Sequence, residues 1–494
     1  MIIFIKGPTE RKRLEINSHD KLYKKVQEAF NIESFNLSYD EDNQNKIDEK
    51  STIPELNLKQ GMTLYLHYEI IKKDIKREKD DFMCDHASNA MCAHCAPLDP
   101  WDAKYLEDKK IKYLSYNSYK EMCKYKNQDF IMEDYSVKKC TDHNRNIRCV
   151  NCQEKDILLN PQRYRMVDHV EFDDSNMVQN FIRNWRDTRR QYFGILIGKY
   201  KNYDLVPLGR KALVSGIWIP EQENYPDGFV INDKFEDDFL LDTGLEILGM
   251  IYTDLIFDGQ MTSSKMKDDL FLSSLEVDFI SKMQFMFPNF ENNQLLNSKF
   301  VTIVATSNQN NEIELMEYQV SSQCMALTRN NLILPTSNPK LFYTEKNIFY
   351  KILQEDGTLK NVKAEPFLPV EYFIVRLTHG NKQNPLFLNS DFINNTISNK
   401  KLAEYFNEEY SIEKFSNFNL LMKLKNRFRN FNKFLKCIIE KNQEDFDKFL
   451  QEEEFQNFIL ELKKYFKKAW VCKACTFINE QNLERCEVCE TANI

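Results

Sequence analysis

The 494-residue chain is poor in glycine, with only 12, and nowhere carries the Gly-x-x-x-x-Gly-Lys-Ser/Thr loop that would cradle a nucleotide's phosphates. Nucleotide hydrolysis is therefore not among its expected chemistries. A basic surplus is also missing. Its 67 lysines and arginines are outnumbered by 75 aspartates and glutamates, giving a formal net charge of -8. A general nucleic-acid binder needs cations to neutralise phosphates, so no nucleic-acid partner is expected. Nor is there a long uninterrupted apolar run. Residues 239–257 come nearest, but Asp242, Glu246 and Asp254 break them, so they read as a buried segment rather than a membrane span. The N-terminus is apolar for a few residues before Glu10, Arg11, Lys12 and Arg13, which is not the shape of a signal peptide. A soluble intracellular protein with no direct membrane insertion is expected. In that reducing setting, closely paired cysteines point to metal rather than disulfides.

What is present is globular. Hydrophobic residues make up 42% and charged residues 29%, with 36 Phe and 23 Tyr to fill cores. The length predicts about three or four domains. Residues 1–68 read as a small β-rich unit: a strand through Ile2, Phe4 and Lys6, a hairpin partner over 13–16, a helix over 19–30 with Leu22, Val26 and Phe30 on one face, then strands near 35–39 and in 56–68. Residues 71–81 are a charged linker, and 82–165 hold two cysteine clusters. From 168 to 330 helices alternate with apolar strands such as 195–197 and 302–305, an α/β pattern. Residues 331–468 are first mixed and then helical, with Phe431, Phe434, Leu435, Phe455, Phe458, Ile459 and Leu462 at helical spacings that predict core packing. Residues 470–494 form a last small module.

Ten of the 13 cysteines fall into three clusters. The last comprises Cys472-x2-Cys475 and Cys486-x2-Cys489. Each Cys-x-x-Cys turn aims two thiolates at one ion, and two turns complete a tetrahedron. So short a segment cannot bury enough apolar surface to fold alone, so metal must supply most of its stability. The first cluster is Cys84-x-His86-x5-Cys92-x2-Cys95 and the second Cys140-x2-His143-x5-Cys149-x2-Cys152. They share one order, Cys, His, then a knuckle, which predicts two closed and therefore structural zinc sites, three in the whole chain. In the first, His94 competes with His86 for the fourth position; the parallel with His143 favours His86. Cys123, Cys324 and Cys437 lie outside the clusters and read as buried free thiols.

Leu-x-Leu-x-x-Gly-x-x-Leu-x-Leu over residues 56–66 resembles the last turn and strand of ubiquitin-like β-grasp domains. Residues 92–105 read Cys-Ala-His-Cys-Ala-Pro-Leu-Asp-Pro-Trp-Asp-Ala-Lys-Tyr, and 158–169 read Leu-Leu-Asn-Pro-Gln-Arg-Tyr-Arg-Met-Val-Asp-His. Residues 298–306 read Ser-Lys-Phe-Val-Thr-Ile-Val-Ala-Thr, 318–327 Tyr-Gln-Val-Ser-Ser-Gln-Cys-Met-Ala-Leu, and 368–372 Leu-Pro-Val-Glu-Tyr. Together these resemble the nuclear protein localization protein 4 family from the first domain to the terminal ribbon. The resemblance implies a cofactor of the valosin-containing AAA ATPase that works with the ubiquitin fusion degradation 1 protein. It implies that the ubiquitin-like domain docks on the ATPase, that the paired zinc fingers sit over its ring, and that the central domain helps capture an unfolding ubiquitin. Cytoplasm and nucleus, including the cytosolic face of the endoplasmic reticulum, are the implied locations.

The central segment resembles the MPN fold of metal-dependent deubiquitinases, whose active members hold zinc with two histidines and an aspartate. Here Tyr252 and Asp254, within Gly249-Met250-Ile251-Tyr252-Thr253-Asp254-Leu255, stand where the histidines should be. Ser273 is kept, but Glu276 replaces the aspartate. The resemblance therefore implies an inactive MPN domain retained as a binding scaffold, and no enzyme. In ubiquitin-binding ribbons of the terminal type, a Thr-Phe pair and an apolar knuckle residue meet ubiquitin's hydrophobic patch; Thr476, Phe477 and Val488 match those positions, and the short Val488 implies weak affinity. The helical stretch runs almost directly into Trp470, so the ribbon is on a short tether that limits its reach. The expected architecture is multidomain α+β: a ubiquitin-like β-grasp, paired zinc fingers, an inactive MPN α/β domain, a helical C-terminal domain and a terminal zinc ribbon. The expected function is a non-catalytic adaptor that binds ubiquitin and polyubiquitin chains. An active deubiquitinase and an RNA-binding zinc protein are the disfavoured alternatives.

Overall fold

The computed structural model describes residues 2–7, 11–16, 21–30, 35–40, 45–48, 53–56, 58–67, 75–80, 82–87, 90–128, 135, 149, 156–232, 235, 237–259, 262–263, 271–291, 294–353, 357–387, 399–407, 409–465, 470–479 and 485–492. The chain divides into two compact units, Met1–Asp99 and Pro100–Ile494. That boundary falls inside the expected 82–165 zinc segment, between its first and second clusters.

The first unit opens with a mixed sheet. Strands β1 (Ile2–Lys6), β2 (Arg11–Glu15), β3 (Asn36–Ser38), β4 (Lys46–Ile47) and β5 (Thr63–His67) lie in the order β2-β1-β5-β3-β4. β1 pairs antiparallel with β2, from Ile2↔Glu15 to Lys6↔Arg11, and parallel with β5. Alternation puts Ile3, Ile5, Leu64 and Leu66 on one face, and helix α1 (Leu22–Phe30) covers it with Leu22, Val26 and Phe30. Gly61, at φ +81°, makes the left-handed turn into β5 that a side chain would disfavour. The two-residue strand β4 is too short to leave a periodic trace, and the sequence reading missed it.

The second unit begins with two short helices, α2 (Ala103–Asp108), capped by Asp102, and α3 (Tyr116–Tyr125), capped by Ser115. Its centre is an eight-stranded sheet of β6 (His169–Phe172), β7 (Phe193–Tyr203), β8 (Gly209–Trp218), β9 (Glu246–Thr253), β10 (Val301–Ser307), β11 (Ile313–Val320), β12 (Ile374–Arg376) and β13 (His379–Asn381), in the order β12-β11-β10-β9-β7-β8-β6-β13. The two ends of that order, β12 and β13, are separated in the chain only by Leu377 and Thr378. The sheet therefore closes on itself as a barrel through residues 374–381. Strands of one sheet thus lie on both sides of position 330, where the sequence suggested a domain boundary.

Both faces of this sheet are buried, which is why its strands read as unbroken apolar runs. Leu196, Val214, Leu248, Ile251 and Ile303 pack with Phe181 and Ile182 of helix α4 (Ser175–Thr188). Ile195, Ile197, Met250 and Val304 face the other way, toward helices α5 (Ser274–Met286) and α6 (Ser322–Arg329). The same second core takes in the C-terminal helices α7 (Asn399–Phe406), α8 (Ile412–Phe415), α9 (Phe418–Leu424), α10 (Phe431–Glu440), α11 (Gln443–Gln451) and α12 (Glu453–Lys463). Phe415, Phe428, Phe434, Phe446 and Phe455 form a cluster of stacked, tilted and edge-on rings there. Gly216 of β8 lies directly under Phe418: a Cβ there would stand 2.6 Å from the ring, so this glycine lets α9 reach the sheet. Among the described residues no helix is long and apolar enough to cross a membrane.

Candidate metal centres

In the first cluster a knuckle turn and the preceding loop converge. The amides of Cys95 and Ala96 donate to the carbonyl of Cys92 at 3.2 and 2.8 Å, closing the Cys-x-x-Cys turn. Cys84 is brought in by a turn in which its amide donates to Asp80 O at 2.8 Å. His86 holds its Nδ1 2.9 Å from Ala87 O, and its Nε2 lies 3.2 Å from Cys95 Sγ. Such a backbone bond fixes which imidazole nitrogen is free for a metal. The ligand atoms of Cys84, His86, Cys92 and Cys95 all lie within 4.8 Å of one another. The group contains His86, and His94 is not one of its four members. Arg77 ties the knuckle down, donating from Nε to Ala96 O at 2.8 Å and from Nη2 to Ala93 O at 2.6 Å. The amides of His94 and Cys95 draw the Cys92 thiol down to about 6. A thiolate is what zinc needs.

The second cluster, Cys140, His143, Cys149 and Cys152, lies outside the described residues apart from Cys149. The third is complete. Cys472, Cys475, Cys486 and Cys489 again converge within 4.8 Å, with Sγ–Sγ distances of 3.4 Å for 472–489 and for 475–486. Thiolates about 2.3 Å from one zinc ion stand about 3.8 Å apart at tetrahedral angles, so both assembled sites fit that ion. The two halves of the ribbon repeat one hydrogen-bonding scheme. Thr476 N donates to Cys472 O and Glu490 N to Cys486 O, both at 2.8 Å; Cys472 N donates to Phe477 O and Cys486 N to Thr491 O, also at 2.8 Å. Thr476 and Glu490, each directly after the second cysteine of its turn, have φ of +60° and +55°. Phe477 and Val488 are 40% and 61% exposed.

Tyr252, Ser273 and Glu276, which the sequence singled out, bind one another. The Tyr252 hydroxyl, on β9, donates to Glu276 Oε1 at 3.0 Å. The other oxygen of Glu276 accepts from the Ser273 amide at 2.8 Å and its hydroxyl at 2.7 Å, while Ser273 Oγ accepts from Glu276 N: a capping box that starts α5. Burial, with Glu276 beside it, holds the Tyr252 phenol well above its ordinary value, so it stays a hydrogen-bond donor.

Sequence reasoning missed a cleft of about 100 Å³ between α4, the end of β8 and α9. Asp173, Asn180, Asn184 and Asn417 supply its polar lining, and Phe387 and Phe418 part of its apolar wall. Asp173 Oδ1 and Asn417 Nδ2 are buried and have no hydrogen-bond partner among the described residues. Burial raises the Asp173 carboxyl. The available signal was Asn180 and Asn184, polar residues one helical turn apart on the otherwise apolar face of α4.

Three family models cover the chain almost end to end: Nuclear pore localisation protein NPL4 over residues 1–67, the zinc binding region of the NPL4 family over 66–189, and the NPL4 family over 192–463. Proteins called Nuclear protein localization protein 4 are similar to it. That of Kluyveromyces lactis is 36% identical over 60% of this chain and 56% of its own length. That of Yarrowia lipolytica is 34% identical over 76% of each. That of Saccharomyces cerevisiae is 35% identical over 66% of this chain and 63% of its own length. The match thus spans less than two thirds of the Kluyveromyces and Saccharomyces proteins.

Proposed function

The chain belongs to the NPL4 family, and from that membership we propose that it is a non-catalytic adaptor, binding polyubiquitinated proteins and bringing them to the valosin-containing AAA ATPase together with the ubiquitin fusion degradation 1 protein. The ATPase supplies the work of unfolding, and the client goes on to proteasomal degradation. The observation that carries this reading is the terminal ribbon. Thr476, Phe477 and Val488 form an exposed, largely apolar group on backbone that four thiolates hold in place. A small rigid apolar surface of this kind suits a small apolar patch on a partner, with weak affinity per site and gain from multivalency.

Other features support the parts. The order β2-β1-β5-β3-β4 with one covering helix is that of a β-grasp, in keeping with a ubiquitin-like domain that docks on the ATPase. The two N-terminal zinc fingers serve as its rigid platform and, with the ribbon, bring the zinc count to three. The central domain acts as an inactive MPN scaffold. An active site keeps a metal position open for water, whereas Glu276 spends its oxygens on Tyr252 and on the capping box. The protein acts in cytoplasm and nucleus, including the cytosolic face of the endoplasmic reticulum.

A pull-down with polyubiquitin and the ATPase tests this directly. Loss of residues 1–68 is expected to abolish ATPase capture and spare ubiquitin, and loss of 470–494 to weaken ubiquitin capture and spare the ATPase. Cleavage of ubiquitin chains by the pure zinc-loaded protein would overturn the adaptor reading.

A further inference from the structure

The segment that closes the barrel also walls the cleft. Leu377 N donates to Glu317 O at 2.9 Å and Val170 N to Thr378 O at 2.8 Å, which joins β11 to β6 across it. Beyond β13, Lys382 N donates to Phe172 O at 2.7 Å, Asn384 N to Asp173 O at 3.2 Å, and Leu386 N to the Asp173 carboxylate at 3.1 Å. Phe387 then packs on Phe418, ring centroids 5.2 Å apart, at the edge of the cleft. One strap, residues 377–387, holds both the seam and the wall.

The groups that seat this strap are ionisable. His379 Nδ1 lies 2.6 Å from Glu317 Oε1 of β11, with Glu314 of the same strand also facing it. Under the strap, His169 of β6 stacks on Tyr203 of β7 at 4.7 Å, and its Nδ1 is 2.8 Å from Thr378 Oγ1. Gly380 sits so close that a Cβ there would stand 2.9 Å from His169 Nε2. Thr378 Oγ1 also reaches Asp168 O at 3.3 Å. The Asp168 side chain is almost wholly buried: Oδ2 accepts from Arg210 N at 2.8 Å, and Oδ1 has no hydrogen-bond partner among the described residues. Arg165, Arg210 and Tyr203 face that carboxylate, while the Glu171–Lys211 ion pair, at 2.8 Å, and His379 of the strap face His169.

We propose that residues 377–387 are a proton-controlled strap over the cleft, seated in mildly acidic solution and released as the pH rises past neutrality. Burial pushes Asp168 up to about 7. The folded chain keeps this proton where the unfolded chain has lost it, so the resulting stabilisation is complete below the ordinary carboxylate range and is lost as the pH climbs toward about 7. Glu317 raises His379 above its ordinary value. The charged pair is complete below about 6.5 and is lost as the pH rises through the raised value. His169 works the other way: burial lowers it, so its protonation opposes seating in more acidic solution and sets the acid limit. Thr378, bonded through Oγ1 to the Asp168 carbonyl, is the strap's contact with that residue.

The test is hydrogen–deuterium exchange on the full zinc-loaded chain between about pH 6 and about pH 8, corrected for intrinsic rates. Peptides covering 374–387 are compared with peptides from β7. The strap is expected to lose about tenfold more protection than β7, the factor that corresponds to one unit of proton affinity. A parallel change in both overturns the proposal. Asp168→Asn and, separately, His379→Gln should each flatten the pH dependence of the strap; an unaltered dependence in His379→Gln likewise overturns it, and this variant together with the wild-type profile decides the matter if Asp168→Asn does not fold.

Discussion

Thr476 is a β-branched residue in the left-handed backbone region, φ +60°, at the position in a zinc knuckle where glycine would sit without strain. Its mate Glu490, φ +55°, occupies the equivalent place in the other half of the ribbon. Strain kept at one position and matched by symmetry at another allows a controlled comparison. Thr476→Gly and Glu490→Gly should each stabilise the ribbon by about 1 kcal/mol, read as slower loss of its zinc to a chelator. If the ribbon binds ubiquitin as proposed, only Thr476→Gly should also weaken that binding, because it strips the hydroxyl and methyl from the exposed patch. Full ubiquitin binding by Thr476→Gly would remove this side chain from the contact surface. The knuckles were legible in the sequence because a Cys-x-x-Cys turn is local: four residues fix both thiolates, and no distant pairing is needed. Left-handed φ at Thr476 was not legible, since nothing in threonine announces it; the thiolate geometry imposes it.

At the scale of elements, the start of α5 shows how one carboxylate can join a helix cap to a neighbouring strand. Ser273 and Glu276 cap the helix, and the same glutamate ties Tyr252 of β9 to it. Ser273→Ala removes one side of the capping box and should cost about 1 kcal/mol. Glu276→Ala removes the box and leaves the Tyr252 hydroxyl buried without its acceptor, so it should cost about 2–3 kcal/mol. Adding Tyr252→Phe to Glu276→Ala should recover part of that loss, since the orphaned hydroxyl goes too. Urea denaturation of the wild type, Tyr252→Phe, Glu276→Ala and the double variant measures the coupling, and strictly additive costs would show that the Tyr252–Glu276 bond contributes nothing. The sequence could single out Tyr252 and Glu276 because they fall at fixed places in a motif. That they bind each other depends on β9 and α5 meeting in space, which short-range pattern does not encode.

The whole molecule is organised by contacts that ignore the order of its segments. β12 and β13, beyond residue 370, close a barrel whose other strands lie between 169 and 320, and the phenylalanines of α7–α12 share one core with Ile195, Met250 and Tyr318. In the sequence, 374–381 is a short run, Ile-Val-Arg-Leu-Thr-His-Gly-Asn, with a glycine and four polar side chains. Its identity as the seam of a sheet comes from partners 50 to 210 positions away, so the apparent boundary near 330 marks only a change of local texture. A fragment ending at 330 would leave β6 and β11 as open edges and uncover the apolar face that the C-terminal helices bury, a combination that favours association between chains. Residues 156–465 should therefore unfold in one cooperative transition, with calorimetric and van't Hoff enthalpies in agreement. Residues 168–330 alone should aggregate or lack sharp tertiary signals in near-ultraviolet circular dichroism. A monomeric, cooperatively folding 168–330 fragment would show that the barrel needs neither its closing strand nor its helical cover.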